Sequence, residues 1–169
     1  ELHRPDFAAT GYDRGVPMGA DLFAGPEGAA PTFMIRALRD PDGANLDRIQ
    51  MVKGWVGDDG EPMTKVFDVS WSGDRKPDAD GKLPPVGSTV EGAEFTNTIG
   101  AAMLGGYWVD PEFDPAQRAY YYVRVLEIPT PSWLAYDKAF YGNIDLPEDA
   151  VMVQQERAYT SPIWYTPAT

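Results

Sequence analysis

The chain has 169 residues, of which 43% are hydrophobic and 12% aromatic, a composition that excludes a disordered tail and supports one folded domain. Its 26 acidic residues exceed its 14 basic ones, and the net charge of −12 repels phosphate backbones, so we expect no nucleic-acid partner. The lack of Cys excludes disulfides and a thiol nucleophile, and no apolar stretch reaches the roughly 18 residues of a membrane-spanning helix, while the compartment stays open.

The first 28 residues carry Gly or Pro every few positions and have no sustained periodicity. They predict an irregular lead-in, followed by a single domain over residues 29–169. This lead-in contains the one His of the chain, His3, with no second His or Cys nearby. We therefore expect His3 to be an ordinary surface residue rather than a metal ligand or general base.

Alternating apolar and polar residues predict strands from Thr32 onward. The runs 32–39, 46–56 and 65–71 each place apolar side chains on one face, and turn-forming residues such as Asp40-Pro41-Asp42-Gly43 separate them. The apolar run 95–109 is punctuated by glycines, which favours two pieces or one bulged strand.

The longest predicted strand, 119–128, is apolar on both faces apart from two residues, so we place it centrally in a sheet. A last strand is predicted over 156–165, and Pro162 requires that strand to be at an edge or bulged. The pattern gives six or seven strands and at most one short helix. It predicts a mainly β fold, an antiparallel β-sandwich.

The single helix is predicted over residues 132–141, before Gly142 ends it. Trp133, Tyr136 and Tyr141 lie close together in this segment and form a candidate interaction patch. Flat aromatic faces stack on sugar rings, so ligand binding is one interpretation of the patch. Packing against another domain and covering the sandwich of this same domain are the other two.

A calcium loop is a weak interpretation of the acidic turn at Asp40. The turn has oxygen-bearing side chains at alternating positions, but the twelfth residue of an EF-hand loop is a bidentate Glu and Met51 stands there. A tight turn between strands is therefore the stronger prediction.

Acid–base catalysis on a glycoside is also weakly supported. Four carboxylates are available for such a pair, namely Glu112, Asp114, Glu148 and Asp149. Because 26 acids in one sequence produce close pairs by chance, no two of them stand out. We expect no catalytic, cofactor-binding or metal-binding residue in this chain.

Three long segments carry a resemblance to a known family. They are DPDGANLDRIQ from Asp40, RVLEIPTPSW from Arg124 and ERAYTSPIWY from Glu156. With them the sequence resembles the C-terminal part of bacterial proteins catalogued as domain of unknown function 3604. Ala20, where that family usually continues with a second Gly, is a small departure.

The resemblance implies a link to metal-dependent hydrolases of the PHP (polymerase and histidinol phosphatase) type. Their metal-binding barrel, which takes zinc or manganese, would lie upstream of Glu1, and the segment at Ala158 is similar to the last strand of the sandwich that follows it. We therefore expect an immunoglobulin-like, non-catalytic C-terminal accessory domain. It would pack on its own upstream catalytic domain or mediate a homo-oligomer. The alternative is a carbohydrate- or polymer-binding module that uses the aromatic patch.

Overall fold

The computed structural model describes residues 6–23, 25, 28–142 and 144–168. Within them the protein forms a β-sandwich with two short helices, so the predicted mainly β class is confirmed. His3 lies outside the described residues. The elements in chain order are α1 (Phe7–Arg14), β1 (Asp21–Phe23), β2 (Thr32–Leu38), β3 (Leu46–Val56), β4 (Pro62–Trp71), β5 (Met103–Val109), β6 (Ala119–Glu127), β7 (Thr130–Pro131), α2 (Trp133–Tyr141), β8 (Val153–Gln154), β9 (Arg157–Tyr159) and β10 (Ile163–Thr166).

The larger sheet has the strand order β1-β10-β6-β3-β4, with β9 paired to the other half of β6. Strand β6 lies inside this sheet, as its two apolar faces predicted. All neighbours are antiparallel except β1 and β10, which run parallel. The sheet is therefore mixed rather than wholly antiparallel.

The smaller sheet, β2 paired with β5, packs on the inner face of the larger one, and the core lies between them. Aromatic and aliphatic side chains of both sheets fill this core, and their burial is the main favourable contribution to folding. The buried core residues are Phe33, Ile35, Leu46, Ile49, Met51, Leu104, Ala119, Tyr121 and Tyr165.

The predicted lead-in is less irregular than expected. Helix α1 forms there, so the structure has two helices where at most one was predicted. This helix spans only 8 residues, includes Gly11 and has no buried residue, so it is too short to stand out as a helix in the sequence. Strand β1 joins the sheet through β10. The domain boundary after residue 28 and the immunoglobulin-like assignment stay predictions.

The last predicted strand is divided around Pro162 into β9 and β10. At the break, Thr160 makes two hydrogen bonds to Val123 of β6. Its N–H donates to the carbonyl of Val123 at 3.0 Å, and its side-chain Oγ1 takes the place of a backbone carbonyl by accepting the N–H of Val123 at 2.9 Å. Proline has no N–H to donate, which is why the strand breaks there. In the run predicted over 95–109, only Met103–Val109 forms a strand.

Candidate functional site

Helix α2 turns its large apolar side chains toward solvent. Phe140 is 82% exposed, Trp133 78%, Tyr141 67% and Tyr136 41%, whereas the helix buries only Ala135. A surface helix ordinarily packs its apolar stripe on the core of its own domain. In α2 eight of the nine residues are exposed, the apolar ones included, and the interpretation that the aromatic patch covers its own sandwich is wrong.

The exposed side chains form one continuous arc of the helix. At 100° per residue, they span less than half of the circumference, with Asp137 as the one charged residue within the arc. We call this the α2 aromatic surface and define it by Trp133, Leu134, Tyr136, Phe140 and Tyr141. The predicted patch left out Leu134 and Phe140, although helical spacing places Phe140 near one face with Trp133 and Tyr136. The seven-residue spacing of Phe140 from Trp133 was the available signal.

The first residue before the helix fixes α2 on the sandwich. Ser132 donates its hydroxyl to the carbonyl of Val151 at 2.6 Å and its N–H to the carbonyl of Met152 at 2.9 Å. The adjoining pair β7–β8 extends this connection. The buried Ser132 side chain therefore holds the segment 151–152 and does not cap the helix, so α2 is anchored at its N-terminal end.

The rings of the α2 aromatic surface meet edge to face. The centroids of Trp133 and Tyr136 are 6.1 Å apart with an interplanar angle of 63°, and those of Phe140 and Tyr141 are 4.9 Å apart at 86°. The structure thus brings Trp133 and Tyr136 together and places Tyr141 against Phe140. Such rings form a ridged surface rather than a flat plate.

The apolar area of this surface is large for a single short helix. Two exposed valines, Val151 and Val153, lie beside its anchor and extend it. At about 200 Å² per full aromatic side chain, the exposed apolar area totals on the order of 700 Å². This approaches the roughly 800 Å² that each partner buries in a standard protein interface, and exceeds the largest patch of most monomers.

A shallow groove lies on the same side of the fold. It has a volume of about 410 Å³ and is lined by Pro129, Val153, Gln154, Gln155 and Arg157. Val153 lines this groove and pairs with Pro131, two residues before the start of α2.

The most buried charges are engaged inside the sandwich. Lys53 Nζ lies 2.6 Å from Asp110 Oδ2 and donates to the carbonyl of Glu112 at 2.8 Å, while the Tyr121 hydroxyl donates to Asp110 at 2.8 Å. Burial, and then this hydrogen bond, raise the pKa of Tyr121 well above its usual range. These groups contribute to the internal structure of the fold.

A second buried carboxylate, Asp47, is surrounded by basic and amide groups. Its Oδ1 lies 2.7 Å from Arg75 Nη2, as an ion pair rather than a well-directed hydrogen bond. Its Oδ2 accepts from Arg48 Nε and from Gln155 Nε2, each at 3.1 Å. Asp47 therefore joins β3 to the loop after β4 and to the segment before β9.

The four carboxylates considered for catalysis are distributed over two loops. Glu112 forms an ion pair with Lys65, and Asp114 accepts the N–H of Ala116 at 2.8 Å, both between β5 and β6. Glu148 and Asp149 are exposed between α2 and β8. Among the described residues, no three His, Asp or Glu side chains lie close enough to hold a metal ion.

The acidic turn at Asp40 is a tight turn between β2 and β3, as predicted. Asp40 Oδ1 accepts the N–H of Asp42 at 2.9 Å, and its carbonyl accepts the N–H of Gly43 at 3.0 Å. The carboxylate thus closes an Asx turn.

Among the described residues, neither helix has the length or the apolar content that a membrane-spanning segment needs.

Comparison with protein families gives one match, over residues 1–167, to the family described as protein of unknown function (DUF3604). Among curated proteins and among solved structures, none matches the sequence at a significant level.

Proposed function

Because the chain belongs to the DUF3604 family, whose function is unknown, we propose that it is a non-catalytic accessory domain that docks another domain through the α2 aromatic surface. The observation that carries this proposal is the exposure of the large apolar side chains of α2. About 700 Å² of apolar surface in contact with water is unfavourable by roughly 25 cal/mol per Å², and a docking partner removes that cost. The anchored Ser132 presents this surface in a fixed orientation.

The partner we propose is the catalytic domain of a PHP-like, metal-dependent hydrolase, which would precede these residues in the same polypeptide. The segments at Asp40, Arg124 and Glu156 resemble the DUF3604 family, and the link to PHP-like hydrolases that this resemblance implies supports the choice. The zinc or manganese of such an enzyme finds no matching set of ligands among the described residues. We assign metal binding, and the hydrolysis itself, to the partner domain.

The buried ionisable groups agree with a supporting role. Lys53, Asp110 and Tyr121 bind one another, and Asp47 binds Arg75 and the neighbouring polar groups. Each group is already used to hold the fold together, so the charged interior serves the structure of the domain. The immunoglobulin-like assignment belongs to this same proposal.

The alternative function, glycan binding by Trp133, Tyr136 and Tyr141, is less favoured by the ring geometry. A pyranose ring stacks on a flat aromatic face, and here neighbouring rings stand at 63° and 86°. A ridged apolar surface fits the grooves of a protein partner better.

The test uses Trp133→Asp and Phe140→Asp, which place a charge in the proposed interface. The matched control is Tyr12→Asp, since Tyr12 is also an exposed aromatic residue on a short helix but lies on α1. Binding of the 169-residue protein to the separately produced remainder of its gene product is measured by calorimetry. We expect the two α2 variants to weaken binding at least tenfold and the control to leave it unchanged.

Two results would overturn the proposal. One is equal binding by all three variants. The other is phosphatase or esterase turnover by the 169-residue protein alone, well above a blank, when zinc or manganese is added. A saturable change in Trp fluorescence on titration with glycans, abolished by Trp133→Ala, would instead support the alternative.

A further inference from the structure

A row of four aromatic rings crosses the outer face of the larger sheet, on strands separate from α2. The ring centroids are 5.4 Å apart for Trp164 and Tyr120, 6.3 Å for Tyr120 and Tyr122, and 6.2 Å for Tyr122 and Tyr159. The alternate residues of β6, such as Tyr121, face the core. The row therefore lies on the face that the smaller sheet leaves open.

Glycine at position 54 lets the Tyr120 ring lie flat on this face. Gly54 is the direct cross-strand partner of Tyr120. A Cβ atom at Gly54 would lie 2.1 Å from Cζ of Tyr120 and 2.4 Å from both Cε1 and Oη. These three distances place the face of the ring, rather than its edge, over the glycine. One face of Tyr120 thus packs on the backbone of β3.

The Tyr122 ring is nearly parallel to the Tyr120 ring. It is within 8° of the Tyr120 ring, and their 6.3 Å separation matches the roughly 6.6 Å between alternate residues of a strand, so the rings lie side by side. Val52, the cross-strand partner of Tyr122, is 2% exposed although it faces outward, so neighbouring side chains cover it. Tyr120 and Tyr122 thus form a plate of two parallel rings, and both residues are partly exposed.

The size of this row suits a small ligand better than a protein. Trp164 is 48% and Tyr159 57% exposed, and the two plate residues are less exposed than either. At about 200 Å² per ring, the four expose at most on the order of 400 Å², half of what a protein partner buries. This contrasts with the α2 aromatic surface, which is nearly twice as large.

The charged residues around the row nearly balance one another. Arg48, Arg124 and Arg157 share the outer face with Asp68 and Asp21, which gives three positive and two negative charges, and Arg48 Nη1 lies 3.5 Å from Asp68 Oδ2. Gln50 connects two of them, since it accepts from Arg124 Nε at 2.8 Å and donates to Asp68 at 2.8 Å. A neutral ligand with hydroxyl groups matches this border, whereas a polyanion is repelled by the net charge of −12.

From the parallel rings, their limited area and their nearly balanced border we propose that this face binds a neutral, β-1,4-linked glycan. A pyranose with equatorial substituents presents a flat face of axial C–H groups, whose partial positive charge is attracted to the negative face of an aromatic ring. Successive sugar rings lie along Tyr120 and Tyr122, with Trp164 and Tyr159 at the ends of the row. The glycan hydroxyls reach Arg124, Asp68 and the other border groups.

The experiment measures retardation of the 169-residue protein in native gels that contain hydroxyethylcellulose, β-1,4-xylan or β-1,4-mannan. Heparin is the anionic comparison. Two variants remove a ring, Tyr122→Ala and Trp164→Ala. A third, Gly54→Ala, keeps all four rings but pushes Tyr120 off the sheet. Tyr12→Ala and Trp133→Ala are controls on α1 and α2, and circular dichroism checks that each variant is folded.

We expect at least one neutral glycan to retard the protein, and heparin not to. The apparent Kd should rise at least tenfold in Tyr122→Ala and Trp164→Ala and severalfold in Gly54→Ala, with both controls unchanged. The proposal is overturned if none of the three glycans binds, if heparin binds more tightly, or if binding persists in both ring-removal variants. Loss of binding in Trp133→Ala alone would move glycan recognition to α2 and also overturn it.

Discussion

Lys53 and Asp110 form a buried ion pair that ties the two sheets of the sandwich together. Lys53 belongs to β3 of the larger sheet, and Asp110 directly follows β5 of the smaller one, with 2.6 Å between Nζ and Oδ2. Tyr121 of β6 donates to the same carboxylate oxygen. Three strands from two sheets thus meet at one charge in the core.

Removing the cation of this pair should strongly destabilise the fold. In Lys53→Met the Asp110 carboxylate stays buried without its counter-charge, which costs about 3–5 kcal/mol. The matched control is Lys65→Met, because the Lys65–Glu112 pair is about half exposed and worth about 1 kcal/mol or less. Urea unfolding followed by fluorescence measures both, and equal losses in the two variants would contradict the assignment.

Tyr121 should make the fold sensitive to alkaline pH. Burial, followed by the hydrogen bond to Asp110, raises the pKa of Tyr121 in the folded state above that in the unfolded chain. The folded protein therefore holds this proton more tightly, and the resulting stability is complete below about pH 10 and falls as the pH rises further. We expect Tyr121→Phe to lose stability less steeply above about pH 10 than the parent protein. Identical slopes for Tyr121→Phe and the control Tyr12→Phe would argue against this.

Glu127 should reduce stability at neutral pH. Burial, and then repulsion from Glu156, raise the pKa of Glu127 above 4.5 in the folded state. Its contribution to stability is thus present at low pH and is lost as the pH rises through the folded-state pKa. We expect Glu127→Gln to raise the urea midpoint at pH 7 and to lose this advantage below about pH 4. If the stability advantage of Glu127→Gln over the parent protein instead grew as the pH fell, the prediction would be contradicted.

Gly100 should be harder to replace than Gly81. Its φ is +79°, and an added Cβ would lie 2.6 Å from Asn45 Cβ and 2.7 Å from Ile128 Cγ2. Gly81 has a similar φ of +76°, but nothing lies within 4 Å of its Cβ position. Gly81→Ala should therefore cost only the backbone term of about 1–2 kcal/mol, and Gly100→Ala a further 1–3 kcal/mol of overpacking. Thermal unfolding of both variants gives the comparison.

The sequence predicted the strands whose faces differ in polarity or whose ends carry turns. The bounds of β3 match the prediction, and those of β2, β4, β6 and α2 lie within a few residues of it. The elements of the lead-in were harder to predict, because α1 buries no residue and β1 is held by a parallel, non-local pairing with β10. Three-residue strands of this kind have no periodicity of their own.

The sequence predicted where in the chain the candidate site lies, but not whether its side chains face the core or solvent. Helical spacing shows that Trp133 and Tyr136 share a side of α2, yet spacing alone does not tell whether that side meets the core or solvent. The plate of Tyr120 and Tyr122 was missed for a related reason. Because β6 is apolar on both faces, alternation could not identify which face the second sheet covers. The flat ring depends on Gly54, a residue on another strand.

The central claim, that the α2 aromatic surface is covered in the working protein, is tested most directly by hydroxyl-radical footprinting. Oxidation of individual side chains is compared between the 169-residue protein and the product of the complete gene. We predict that oxidation of Trp133 and Phe140 falls at least fivefold in the complete product, while exposed Tyr12 is oxidised equally in both. Equal oxidation of Trp133 and Phe140 in the two samples would contradict the account.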